Sequence, residues 1–110
     1  MRQNQTNLLQ GTLSLLILKA IGDGEMHGLG ISRRIEQITR GTFQVKPGSL
    51  FPALHRMEEA GWIRAEWVTK DTGRRARLYA LTAAGKKQLA AEESRWQAVT
   101  SAVNRVLRMA

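Results

Sequence analysis

The sequence predicts a mostly α-helical fold with one small β-hairpin, a winged helix-turn-helix followed by a long C-terminal helix. Three observations predict it. Apolar residues recur at helical spacing in three successive segments before residue 61. One two-stranded pattern with an arginine-rich turn follows them. The last segment then carries a single long helical pattern to about residue 108.

Composition narrows the function. A chain of 110 residues suits one compact domain, burying roughly 65% of its unfolded surface. Seventeen Lys and Arg against nine Asp and Glu leave a net charge of +8, with a pI of about 11.1, which points to an anionic partner. Cysteine is absent, so disulfides, thiolate metal sites, cysteine nucleophiles and thiol sensing are excluded. The two histidines, His27 and His55, lie far apart. No histidine-rich metal site within one subunit, and no cofactor, is expected. Residues 13–21 follow Arg2 and superficially resemble a signal peptide. Lys19 interrupts that run, Gly22-Asp23-Gly24 stands where a cleavage site would be, and the run is too short to span a bilayer. A core helix of a cytoplasmic protein, with no membrane partner, is expected.

The first seven residues are polar and expected to be loose. From Leu9, apolar positions fall at 9, 13, 16, 17, 20 and 21, the stripe of an amphipathic helix that Gly22 and Gly24 stop, with Asp23 in the turn. A second helix over about Gly28–Thr39 buries Ile31, Ile35 and Ile38, and Gly41 ends it in the C-terminal glycine position. A third helix opens at Pro47 or Ser49 and runs to about Ala60, with Gly61 closing it. Its buried stripe is Leu50, Leu54 and Met57, with Ala53 beside it. Pro52 lies within about a turn of the start, where a lost bond costs little. Ile63, Ala65 and Trp67 then alternate with Arg64, Glu66 and Val68, and a second strand runs over about Ala76–Leu81. Thr82 is the expected N-cap of a final helix over about Ala83–Arg108.

The third helix and the hairpin carry the functional signal. The helix face opposite the buried stripe holds Gly48, Ser49, Pro52, His55 and Arg56, none of them acidic; Glu59 follows a turn later. A helix entering the major groove by its N-terminus offers free N–H groups to phosphate. Arg56 reaches guanine or phosphate, or is a solvated charge; Ser49 contacts DNA or caps the helix. Residues 70–77, Lys-Asp-Thr-Gly-Arg-Arg-Ala-Arg, hold four cations and one anion. On a hairpin beside that helix these arginines would meet phosphate or the minor groove. Eight cations against four anions in residues 40–77 make a net +4 there, half of the total excess. The predicted DNA surface is Lys46, Ser49, Phe51, Pro52, His55, Arg56, Arg74, Arg75 and Arg77.

The final helix, ~39 Å long at 1.5 Å per residue, outreaches a domain whose radius of gyration should be ~13 Å. Leu89, Trp96 and Val103 are seven apart, as are Val99 and Val106, in a seam broken at Glu92. This apolar face, including Leu107, calls for a partner, most simply a second copy of the chain. The predicted division is a DNA-binding unit over 1–82 and a dimerisation helix over 83–110. An enzyme is not expected. There is no Ser/His/Asp set, no carboxylate pair in an apolar setting and no phosphate-cradling glycine loop followed by Lys-Ser or Lys-Thr. A winged-helix module without a specific DNA target, its basic wing docked on an acidic protein, is the alternative.

Four segments stand in order: Gly11-Thr12-Leu13 with Leu15-Leu16-Ile17-Leu18; His27-Gly28-Leu29-Gly30-Ile31; Lys46-Pro47-Gly48-Ser49-Leu50-Phe51-Pro52-Ala53-Leu54-His55-Arg56-Met57-Glu58-Glu59-Ala60-Gly61; and Gly73-Arg74-Arg75-Ala76-Arg77-Leu78-Tyr79-Ala80-Leu81-Thr82 with Gly85. Together they resemble the PadR family of transcriptional regulators, in its short subfamily with one C-terminal dimerisation helix. The resemblance covers nearly all of residues 8–108. The family usually has Tyr where this chain has Leu29 and Phe51. Leu29 reads as a core substitution. Phe51 lacks the hydroxyl that touches the DNA backbone in relatives, and either contacts DNA itself or packs under the recognition helix.

The resemblance implies a homodimeric repressor on an inverted-repeat promoter site of double-stranded DNA. It also implies that the last helix pairs with its equivalent and with the first helix of the other subunit. Some such regulators bind flat aromatic or drug-like compounds between tryptophans near the dimer centre. Trp96 occupies the matching stretch, with two readings, dimer packing and contact with a small aromatic effector. Trp62 and Trp67 read as wing and core packing, and His27 as a helix cap or a phosphate contact.

Overall fold

The computed structural model describes residues 2–22 and 24–109, with side chains described from residue 11 onward. The turn expected at Asp23 and the side chain of Leu9 lie outside the described residues. The order is α1 (Arg2–Gly22), β1 (Met26–His27), α2 (Gly28–Ile38), α3 (Pro47–Glu59), β2 (Ile63–Thr69), β3 (Arg75–Leu81) and α4 (Ala83–Leu107).

Helix α1 begins at Arg2, which corrects the expected loose start. The polar residues before Gly11 include no glycine or proline, so nothing in them breaks a helix. The helix is central, packing against α2, α3, α4 and β3. It therefore buries more than one stripe: Ile17, Ala20 and Ile21 are inside as expected, and Leu18 is fully buried as well. Ile31 and Ile35 of α2 and Leu50, Ala53, Leu54 and Met57 of α3 complete the helical core, which Ile63 and Tyr79 close from the sheet. Two expectations fail on α2. Ile38, its last residue, projects past the core at 69% exposure, and Leu29 in its first turn is 52% exposed.

The helix ends share one device. After α3, Gly61 (φ +81°) donates its N–H to the Glu58 carbonyl, and Trp62 donates to Met57. These are the paired bonds of a Schellman motif, whose left-handed residue is usually glycine. After α2 the same pair of bonds runs from Arg40 to Gln37 and from Gly41 to Glu36. The left-handed residue there is Arg40, at φ 52°. Gly41 is thus one position later than expected, and a side-chain-bearing residue takes the strained place.

The sheet has three antiparallel strands in the order β1-β3-β2, so β3 is central. Its wing register pairs Ile63 with Leu81, Ala65 with Tyr79, Trp67 with Arg77 and Thr69 with Arg75. β1 adds Met26 opposite Tyr79. Two residues have no periodicity to read, which is why this strand was not foreseen.

Between β3 and α4 the chain is sutured to the end of α3. Thr82 donates its N–H to the Trp62 carbonyl at 3.0 Å and its hydroxyl to the Gly61 carbonyl at 2.6 Å. The same hydroxyl accepts from the Gly85 N–H at 3.0 Å, capping α4 as expected. α4 then runs outward. The protein measures 61 × 29 × 26 Å with a radius of gyration of 15.6 Å, longer than the ~13 Å of a compact domain of this size. No helix among the described residues is long and apolar enough to cross a membrane.

Candidate nucleic-acid interface

Helix α3 starts at Pro47, which supplies a helical φ and has no N–H to leave unsatisfied. Its N-cap is Lys46, in extended conformation and without a side-chain cap bond. Ser49 is the third helical residue, its N–H bonded to the Lys46 carbonyl, so the capping reading of Ser49 is set aside. α2 likewise starts without a side-chain cap: His27 holds the N-cap backbone position, but its imidazole makes no cap bond. The first N–H groups of α2 are therefore left without a side-chain cap, and in α3 only that of Gly48 is left over, since Pro47 has none and Ser49 and Leu50 both bond the Lys46 carbonyl. Pro52 is the sixth residue of α3 rather than part of its first turn. The carbonyl it leaves unmatched is that of exposed Gly48, which water can satisfy.

Lys46, Ser49, Phe51, Pro52, His55 and Arg56 are all exposed, as the buried stripe 50-54-57 requires. Arg56 makes no ion pair among the described residues. His55 is engaged: its Nε2 lies 2.8 Å from Glu59 Oε1, one helical turn on. Phe51 is partly packed and partly bare. It is 44% exposed, yet its ring edge lies so near the start of α2 that a Cβ on Gly28 would sit 2.9 Å from it.

The wing turn is closed by Lys70 N–H to Arg74 carbonyl at 2.7 Å and by Gly73 N–H to Lys70 carbonyl at 2.8 Å, with Gly73 at φ +84°. Arg74 sits in this turn. Arg75 and Arg77 lie two residues apart on β3 and so share a face. Opposite Arg77 stands Trp67, 56% exposed, which corrects its assignment to packing. The Arg75 guanidinium lies 4.8 Å and that of Arg77 5.6 Å from the Trp67 ring centre, and Arg77 also lies 6.0 Å from that of Tyr79. Arg77 pairs with Glu58 of α3 at 3.1 Å. Burial pushes the Tyr79 phenol above its ordinary value, while the Arg77 charge pulls it back; the ring stays neutral at physiological pH.

Between the start of α2 and the wing is an open cleft of about 330 Å³, whose lining includes His27, Arg33, Phe51, Lys70 and Arg77 and no carboxylate. His27 Nδ1 is buried and has no partner among the described residues. A second opening, of about 180 Å³, lies where α1 meets α4, lined by Gly11, Thr12, Leu15, Glu92, Arg95, Trp96 and Val99. Leu89 is half-buried against its own core. Trp96, Val99, Val103, Val106 and Leu107 leave 45% to 74% of their surface bare.

Residues 17–91 match the PadR-like family of transcriptional regulators. The chain belongs to that family. PadR-like proteins are regulators rather than enzymes, and the winged helix with a C-terminal helix is their fold. The transcriptional regulator Rv3488 of Mycobacterium tuberculosis is 35% identical over 80 residues, covering 73% of this chain and 71% of that one. A PadR-like regulator of Bacillus cereus superposes with a TM-score of 0.81 at 27% identity, over 94% of this chain and 99% of the other. PadR of Bacillus subtilis, solved in complex with operator DNA, superposes at 0.66 with 24% identity, over 72% of this chain and 45% of its own.

Sequence reasoning overlooked Glu58, Tyr79 and Glu92 as members of these surfaces. Alternation along β3 placed Tyr79 on the face of Arg75 and Arg77, and the break in the α4 seam marked Glu92. Nothing local marked Glu58, whose partner is 19 residues away.

Proposed function

We propose that this protein is a homodimeric repressor that binds an inverted-repeat operator. Residues 1–82 form the DNA-binding unit and 83–110 the dimerisation helix. The observation that carries this reading is the exposed polar and basic residues of α3 together with the arginine-rich wing. These are Lys46, Ser49, Phe51, Pro52, His55 and Arg56 on the helix and Arg74, Arg75 and Arg77 beside them, with α2 starting without a side-chain cap and the Gly48 N–H of α3 open to a phosphate. That a PadR relative binds operator DNA supports it. Helix α3 occupies the major groove; Arg56 reads a base or holds a phosphate.

The dimer reading rests on α4. A soluble chain gains by covering the apolar row from Trp96 to Leu107, and a second α4 offers the same row in return. Pairing of the two helices then sets the distance between recognition helices, which must match about one turn of DNA, ~34 Å. A small flat aromatic effector in the opening beside Trp96 would alter that distance, because the opening lies between α1 and α4. Trp96 thereby contributes to packing and to the ligand wall.

The test is binding to the DNA upstream of the gene. Preference for that DNA over bulk sequence, lost in Arg56→Glu while the dimer persists in solution, is the expected result. Equal affinity for any duplex would sink the reading and leave a protein-docking wing as its replacement.

A further inference from the structure

The wing carries an indole where a soluble protein has little reason to expose one. Trp67 leaves 56% of its surface in solvent, and it belongs to the same sheet face as buried Ile63 and Tyr79. Strand alternation explains the position. Ile63, Ala65, Trp67 and Thr69 share one face with their partners Leu81, Tyr79, Arg77 and Arg75. The core covers the first two pairs of that face. The last two pairs run on beyond it, still aimed to the side where α3 lies, as the Arg77–Glu58 pair shows.

On that overhang, two guanidiniums lie against one ring, at 4.8 and 5.6 Å from its centre. Both are within the ~6 Å range where the ring quadrupole attracts a cation. Their surroundings differ. Arg77 is tied on three sides, by Trp67, by Tyr79 and by the Glu58 carboxylate. Arg75 has the indole and no carboxylate partner among the described residues. The stack therefore brings two like charges together and compensates only one of them. A guanidinium fork fits a phosphodiester as it fits a carboxylate, and the DNA-binding reading supplies the phosphodiester.

We propose that Trp67 is the positioning residue of the wing, its indole holding Arg75 ready for a DNA phosphate while Arg77, braced by Glu58, serves as a strut between wing and α3. This divides the three wing arginines into different roles: Arg74 free at the tip, Arg75 presented to the backbone, Arg77 structural. The inference rests on the DNA-binding reading, and its test is chosen so that the two can fail separately.

The test compares Trp67→Leu and Trp67→Phe with the wild-type full-length chain. In the free protein, NMR of the arginine Nε–Hε groups reads the stack directly, since a proton over an indole is shifted by the ring current. Wild type and Trp67→Phe should show a shifted Arg75 signal, and Trp67→Leu should not; Arg77, which also faces Tyr79, should keep part of its shift. Binding is then measured to the upstream DNA and to a random-sequence duplex. Trp67→Leu should weaken both by up to about tenfold, the upper end of what ordering one rotamer-rich side chain on binding costs once the indole no longer holds Arg75 in place. Trp67→Phe should stay within about threefold of wild type, since the weaker benzene face keeps most of the attraction. The dependence on salt should be unchanged in Trp67→Leu, because no charge is removed, whereas Arg75→Ala should lower its slope. Unshifted arginine signals in the wild type, or Trp67→Leu binding as tightly as wild type, would overturn the proposal. Absence of preference for the upstream DNA would overturn the operator reading alone, since the random duplex still decides the role of the stack.

Discussion

Gly85 of α4 lies against the main-chain carbonyl of Trp62, so close that a Cβ at position 85 would collide with that oxygen and with its carbon. The neighbour is backbone, which cannot rotate away as a side chain would. Gly85→Ala should cost about 2 kcal/mol or more, the scale of forced overpacking, despite alanine being the better helix former. Urea denaturation checks it; unchanged or increased stability would mean the start of α4 can slide.

Thr82 works at the same joint through two bonds from one hydroxyl, to the Gly61 carbonyl and from the Gly85 N–H. Thr82→Val keeps the shape and removes both. A loss of about 1–2 kcal/mol is expected, as for other N-cap deletions. A fall in the denaturation midpoint with an unchanged slope would show that stability alone had changed.

Arg40 holds a left-handed backbone at the end of α2 where Gly61 does so at the end of α3. The strain costs a non-glycine residue about 1–2 kcal/mol; glycine's own entropy returns part of it. Arg40→Gly should therefore stabilise the protein by about 0.5–1 kcal/mol, and Gly61→Ala should destabilise it by a similar amount. Thermal melts of the two variants should move in opposite directions.

Burial raises the Glu92 carboxyl above its ordinary value, opposed by a hydrogen bond with Gln88 and by the Arg95 charge. One of its oxygens is buried without a hydrogen-bond partner among the described residues. The sign follows from which form folding disfavours. Below the unfolded pKa, about 4.3, both states are protonated and no penalty exists. As pH rises through the higher folded value, the carboxylate forms at a cost only the folded state bears. Glu92→Gln should thus be the more stable protein at neutral pH, with the difference vanishing near pH 4. Denaturation midpoints at the two pH values test this, and an equal difference at both would contradict it.

The DNA-binding reading makes its own demand on salt. If the dimer neutralises several phosphates, affinity for the upstream DNA should fall ~10³-fold or more between 50 and 200 mM salt. The double variant Arg74→Ala, Arg75→Ala should weaken binding to every sequence alike and flatten that dependence.

How far the sequence could be read follows from the range of each signal. The α3 stripe Leu50-Leu54-Met57, the Thr82 cap and the turn at Gly73 are local patterns, and each stands where it was expected. Ile38 obeyed the helical period and still emerged exposed, because a period says which way a residue points and not whether anything covers it; Leu29, read as core only from its place in the family pattern, is exposed as well. The extent of α1 misled for the opposite reason: polar residues were taken for a loose segment although nothing in them stops a helix. At the interface, residue type was legible and partnership was not. Three arginines announced a basic wing, but which of them meets Glu58, and which rests on Trp67, depends on a register linking strands and helix across 19 residues.

The suture between α3 and α4 consists of amide and hydroxyl groups only: the Thr82 and Gly85 N–H groups, the Thr82 hydroxyl and the Gly61 and Trp62 carbonyls. None of these titrates in the physiological range, and none relies on a net charge that ions can screen. The joint from which the last helix leaves the domain is therefore insensitive to the ionic medium, and only the exposed Lys19–Glu93 pair between α1 and α4 responds to it. A cell under osmotic stress would change how tightly the basic face holds an anion while the body carrying that face kept its gauge.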